Sequence, residues 1–341
     1  MKSVFLMIDV AAREIIALND RSRRFGWTGI LGAVAALLVA SPAQAFTIVI
    51  DYDYDSNGFF TAHPEAKATL ESAADFFEGI IIDQIGAITP AGNDRWSEVF
   101  THPGTGSTYE ISSSTAAIDP GANEYQLGLS IAANTYVLHA GGRQLGSTLG
   151  IGGYGGFGSF GSAAWNTTVE TRGEAGVDAV PPTDFARWGG SVTFDIDATW
   201  NFSLLTLPVA GQNDFFSVAL HEIGHSLGLN VNDPDVSWNA RQSGATFTGS
   251  NAVAVFGGAV PTVSASDHHW KEGTMSVIFG TNTAQEAAMD PTLTVGTRKL
   301  FTALDVAALK DVGWDIVPEP STAALLAMGL LPLGLMRRRK P

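Results

Sequence analysis

The stretch "HEIGHSLGLNVND", residues 221–233, decides how this chain is read. It closes the most helical segment of the sequence, "NDFFSVALHEIGHSLGL". Asn213 is a suitable N-cap, Phe215, Val218, Ala219 and Leu220 begin an apolar face, and Gly228 is a natural C-terminal stop. On such a helix His221 and His225 project from one face with Cβ atoms about 5–6 Å apart, a separation at which two imidazoles grip one ion. Zinc takes nitrogen ligands at about 2.0–2.1 Å, usually four-coordinate, and a catalytic site leaves one position for water. Bound zinc brings the pKa of water from about 15.7 toward 7, and Glu222, between the two histidines, is placed to take the proton and pass it to a leaving amine. The residue types match a hydrolytic metal site.

A third protein ligand has to come from elsewhere. Besides the helical pair, the histidines are His63, His102, His139, His268 and His269. His63 adjoins a predicted helix start and His102 a Pro-Gly turn, so both are expected in solvent. His139 ends a strand candidate and reads as a core or rim histidine. The adjacent pair in "SDHHWKEG" is polar, near a turn and followed by an aromatic. Asp233 is a further candidate. From the residues alone, His268, His269 and Asp233 all stay open.

The order "HEIGHSLGL", "HHW", "AQEAAMDP", "LDVAALKDVGW" resembles the metzincin clan of zinc endopeptidases, and its leishmanolysin-type branch most. The common metzincin pattern places the third ligand ten residues after the first histidine, where this chain has Val231. In the leishmanolysin-type branch a long insertion precedes a third histidine that a tryptophan follows. The resemblance implies ligands His221, His225 and His269, Glu222 as general base, Gly228 turning the chain, and Met289 as a turn methionine beneath the metal. It also implies an α+β zincin: a mixed twisted sheet with a backing helix and the HExxH helix over residues 46–229, and a smaller C-terminal subdomain over 230–316. Leishmanolysins are rich in disulfides, whereas this chain has no cysteine. That absence also excludes thiolate metal sites and a cysteine latency switch.

Outside the helix, "FTIVIDYDYDSNGFF" reads as a strand ending in a turn, and "HPEAKATLESAADFFEG" as an amphipathic helix from Pro64 that Gly79 stops. "STYEISSS", "NTYVLHA" and "SVTFDIDATWNF" are strand candidates. "GSTLGIGGYGGFGSFGSAAW" is expected to be a glycine-bearing surface loop; it lacks the Lys-Ser/Thr pair of a phosphate cradle. Asp51, Asp53, Asp55 and Asn57 alternate in a way that hints at calcium, but the acid a calcium hand needs is Pro64, so a solvated acidic face is expected.

The two ends address the chain. Residues 1–45 combine Arg21, Arg23 and Arg24, an apolar run and Ala43-Gln44-Ala45, and read as a secretory signal. Residues 317–341 carry Pro318-Glu319-Pro320, sixteen apolar or small residues and Arg337–Lys340. That order resembles the PEP-CTERM sorting signal, which implies processing by an exosortase and a transient membrane anchor of a bacterial cell-surface, periplasmic or matrix protein. Without its ends, the chain keeps ten basic residues against thirty acids. Such acidity excludes nucleic acid and anionic membranes as partners. The expected function is zinc-dependent peptide hydrolysis on a protein or peptide substrate; the rival is a non-catalytic surface or exopolysaccharide-matrix protein that keeps the fold.

Overall fold

Ile48 and Ile50 pack toward the core while Val49 between them is exposed, and that period of two builds the first strand of the sheet that carries the site. The computed structural model describes residues 45–112, 129–230 and 237–317, which fall in one unit beginning at Ala45. The basic-apolar leader, Val231 and Asp233, and the C-terminal triplet, apolar run and basic tail lie outside the described residues. The principal elements are β1 (Thr47–Asp51), α1 (Phe59–Ala62), α2 (Pro64–Ile80), β2 (Arg95–Thr101), β3 (Thr108–Ser112), β4 (Thr135–Arg143), β5 (Gly150–Tyr154) and β6 (Gly156–Phe160). They continue with α3 (Ala163–Thr171), β7 (Gly189–Asp195), α4 (Phe215–Ser226), α5 (Ser237–Arg241), α6 (Ser250–Phe256) and α7 (Ala303–Val312). The fold is mixed α+β, as expected.

The main sheet runs β1-β4-β7-β5, with β4 parallel to β1 and β7, and β5 antiparallel at the edge. β4 is buried on both faces: Tyr136, Leu138 and Ala140 join the larger core, and Val137 joins a second core with Trp96, Phe100 and Trp188. This explains its nearly unbroken apolar sequence. On the first face α2 and α4 pack on each other, α2 also against β1 and α4 against β5 and β7. The second core belongs to an antiparallel sheet, β3-β2-β6. Among the described residues no helix is long and apolar enough to cross a membrane.

Helix α2 buries Ala66, Leu70, Ala73, Ala74, Phe77 and Ile80, the i, i+3, i+4 stripe that its sequence predicts. Its end differs from the expectation. Gly79 lies inside the last turn, and Ile81, extended, closes the helix with its N–H on Phe77 O. Burial of Ile80 and Ile81 holds that turn in place.

The glycine-rich stretch is not a loop either: it forms β5 and β6. Its glycines are where other groups press in. A Cβ on Gly150 would lie 2.6 Å from Glu222 Oε1, and one on Gly155 would run into the Trp188 ring. The acidic alternation is a solvated face only in part: Asp53 and Asn57 are exposed, whereas Asp51 and Asp55 are half-buried and turn toward the chain. Asp55 accepts from the N–H groups of Phe59, Phe60 and Gly142. Asn57 donates to the carbonyls of Gly104 and Gly142, while Asp51 faces His139. These side chains do not converge on a common cation position.

Candidate metal centre

Helix α4 starts at Asp214, not at the expected Asn213. The Asp214 carboxylate accepts from Ser217 N at 3.1 Å and is buried against Arg298. A buried acid in an ion pair serves better there than a half-exposed amide. Phe215, Ala219, Leu220 and Ile223 then anchor the helix in the core.

The C-terminal end of α4 is a Schellman turn. Gly228 takes a positive φ of 98°, Gly228 N–H donates to His225 O and Leu229 N–H to Gly224 O. This turn places the Leu229 carbonyl 2.7 Å from His225 Nδ1. The glycine that ends the helix therefore also orients His225.

The two other histidines are oriented in the same manner. His221 Nδ1 lies 2.7 Å from Ala288 O, and His269 Nδ1 lies 2.8 Å from Asp267 Oδ1. A carbonyl or carboxylate can only accept, so each Nδ1 carries a proton, and in the neutral ring this leaves the Nε2 lone pair free. Those Nε2 atoms stand 2.9, 3.2 and 3.3 Å apart. In the neutral rings these are three lone pairs aimed at one point. Tetrahedral coordination with Zn–N near 2.05 Å puts nitrogens about 3.3 Å apart, so the residues fit a zinc ion. Burial, and next the charge of a neighbouring histidine, pushes His221 down to about 3 and His225 well below its ordinary range. Neutral imidazole is the form a metal needs.

The structure brings His221, His225 and His269 together and leaves His268 out. The His268 ring stands 4.5 Å from that of His225, but its nitrogens are not in the Nε2 triangle and Nδ1 is buried without a partner. His139 is on the far face of the sheet, fully buried, with Nδ1 3.0 Å from Asp51 and Nε2 3.2 Å from Glu98. Burial opposes its charged form, but the two carboxylates outweigh burial and hold its pKa above the usual value. His63 is half exposed beside Glu65, and His102 accepts from Gly104 N.

Glu222 is buried beside β5. Burial pushes its carboxyl up to about 8, and the N–H of Gly152, donating to it, acts in the opposite direction. The cleft in front of it, about 560 Å³, is lined by residues 147–152, by α4, by His268 and His269, and by Ala288 and residues 290–293 with Lys299.

Met289 is fully buried under the helix; a Cβ on Gly224 would stand 2.9 Å from its Sδ. Trp270 N–H donates to Met289 O at 2.9 Å, so Met289 and the neighbour of His269 are one unit. Sequence reasoning missed what holds that unit. The buried carboxylate of Asp305 accepts from Trp270 Nε1, Ala288 N, Met289 N and Thr302 N. With Thr302 it forms a capping box at the start of α7. The T-x-x-D spacing was the available signal for that cap. Nothing local pointed to the other bonds.

Residues 159–237 match the family model described as Matrixin. That segment includes the His221–His225 helix and ends before His269. A 41-residue segment is 56% identical to "Matrix metalloproteinase-2" of Drosophila melanogaster, covering 12% of this chain and 5% of that protein. No solved structure matches the chain. The matches support a zinc-dependent metallopeptidase of the metzincin type.

Proposed function

We propose that this chain is an exported zinc endopeptidase in which His221, His225 and His269 hold one catalytic zinc and Glu222 is the general base. The observation that carries the reading is the triangle of unprotonated Nε2 atoms, each fixed by an acceptor on its own Nδ1. When bound there, zinc supplies Lewis acidity toward a carbonyl and lowers the pKa of water. The chain's own residues do the rest. An extended peptide lies in the cleft between the edge strand β5 and residues 290–293. The Glu222 carboxylate, kept basic by burial and steadied by Gly152 N–H, takes a proton from the attacking water and returns it to the leaving amine. His269 enters after a long insertion, which is the leishmanolysin-like order, and Trp270 and Asp305 lock it in place. The ends, a signal over 1–45 and a PEP-CTERM-like segment over 317–341, support export and exosortase processing.

The test is zinc content together with cleavage of denatured casein by the purified full chain. Glu222→Gln is expected to keep zinc and lose cleavage by at least about 10²-fold, the range for removing a general base. Stoichiometric zinc with no cleavage of any peptide in broad libraries would move the protein to the matrix-protein reading.

A further inference from the structure

The segment "FSLLTLPVAGQ", residues 202–212, lies outside the metal site and takes no part in the chemistry above. It leaves and returns at one point, because Trp200–Asn201 pairs with Asn213–Asp214, and Asp214 caps α4. Its apolar residues sort by direction. Phe202 packs against Phe59 and Phe215, and Pro208 is buried. Leu205, Leu207 and Val209 are 97%, 68% and 63% exposed, and Leu204 is exposed beside them. The loop is nonetheless fixed. Arg298 donates to Ser203 O at 2.6 Å and Leu204 O at 2.9 Å and pairs with the buried Asp214 carboxylate, while Asn201 Nδ2 donates to Thr206 O at 3.1 Å. With its ends closed and its carbonyls held, the loop keeps four large apolar side chains in water, the mark of an interaction surface.

That surface continues the metal cleft. Leu293 lines the cleft, and three residues on, Gly296 N–H donates to the Gln212 carbonyl. A Cβ on Gly296 would stand 3.5 Å from Val209 O, so the two segments touch. Three residues span at most about 10–11 Å, and the exposed Val295 lies on that path. We infer that Leu204, Leu205, Leu207 and Val209, with Val295, form an exosite for apolar side chains of a protein substrate beyond the residues held in the cleft. Extended, leucine-rich polypeptide is then the favoured substrate class. Charge selects this occupant over two others. Residues 202–212 and 293–297 carry no charged side chain and Arg298 is held by Asp214, so the surface lacks the basic groups that hold a protein to lipid headgroups. Two copies of a chain with a formal charge of −15 repel each other. An uncharged stretch of unfolded polypeptide meets neither obstacle.

This inference rests on the peptidase reading above, and one experiment separates the two. The zinc-loaded full chain is given three peptides that share one scissile bond. One has about eight residues; the others are lengthened at both ends by about six residues, enough to cross the gap, and the added residues are rich in leucine in one and in serine in the other. The leucine-extended peptide is expected to show a KM at least about fivefold below that of the short peptide at similar kcat, as binding remote from the reacting bond requires. The serine-extended peptide should match the short one. The double variant Leu205→Ser, Leu207→Ser should abolish the advantage and leave kcat/KM on the short peptide unchanged, and Leu205→Met, Leu207→Met should retain it. Equal KM for the leucine and serine extensions, or an advantage that survives the serine variant, would overturn the exosite while leaving the peptidase intact. So would a wild-type dimer, or binding to phosphatidylcholine vesicles, that the serine variant abolishes, since the occupant would then be a second copy or lipid. Zinc binding without cleavage of any of these peptides or of casein would overturn the peptidase reading and the exosite together.

Discussion

Replacing Gly152 by alanine tests how the glycine strand serves the site. A Cβ there would lie 2.7 Å from the Glu222 carbonyl carbon and 2.8 Å from its Cα, and closer still to its oxygen. These are main-chain atoms, so no rotamer change relieves the clash. Restoring even the 2.7 Å contact to an ordinary 3.4 Å separates β5 from α4 by about 0.7 Å. Helix α4 is anchored through Phe215, Leu220 and Ile223, whereas β5 is an edge strand with one neighbour in its sheet, so β5 is the element that yields. Overpacking of this kind costs about 1–3 kcal/mol. The Gly152 N–H that steadies Glu222 moves with the strand, and a misplacement approaching 1 Å costs on the order of 10²-fold in rate. The proposed zinc ligands come from α4 and the 269 segment, so metal content should not change. The assay is threefold: zinc per chain, urea unfolding, and kcat/KM on one casein-derived peptide. Gly153→Ala is the control, because its nearest neighbour is 3.9 Å away; it should stay within about 0.5 kcal/mol of wild type. Cleavage by Gly152→Ala within threefold of wild type, at unchanged stability, would refute the claim that the strand must approach the base this closely.

Asp305→Ala should destabilise by about 3 kcal/mol or more, because it leaves several buried donors, including Trp270 Nε1 and Met289 N, without an acceptor. It should also weaken zinc binding about 10–100-fold, the usual effect of removing groups that orient a ligand, as chelator competition would show. His139 gives a pH signature. Its pKa is held above 6.5 in the fold, so the stabilisation from Asp51 and Glu98 is complete below about pH 6.5 and is lost as pH rises through the folded value. Asp51, held below 3.8, contributes above that value and loses its contribution as pH falls through its folded pKa. The stability difference between wild type and His139→Gln, from urea unfolding, should therefore be largest between about pH 4 and 6.5 and shrink on the alkaline side.

Much of the site was legible because its signals are local. The i, i+4 histidines, the apolar face of α4, the glycine at 228 and the alternation of β1 and β7 are signals within a few residues. What was not legible depends on neighbours distant in sequence. β5 and β6 read as loop because glycine carries no side-chain pattern; its purpose lies in Glu222 and Trp188, which need the space a Cβ would fill. His268 and His269 are the same residue type side by side; the Asp267 carboxylate on His269 Nδ1 and the place of His269 Nε2 beside His221 and His225 separate them, and both depend on the folded backbone. Asp51 and Asp55 read as part of a solvated face, as the exposed Asp53 is, because the groups they serve, His139 and Gly142, come more than eighty residues later.

The central claim is that His221, His225 and His269 form the metal centre. Zinc content of His269→Ala and His268→Ala, measured after equilibration with a competing chelator, tests it most directly. The structure predicts that His269→Ala loses its zinc while His268→Ala keeps about one ion per chain, since only the former supplies a third Nε2. Stoichiometric zinc in His269→Ala would contradict the account.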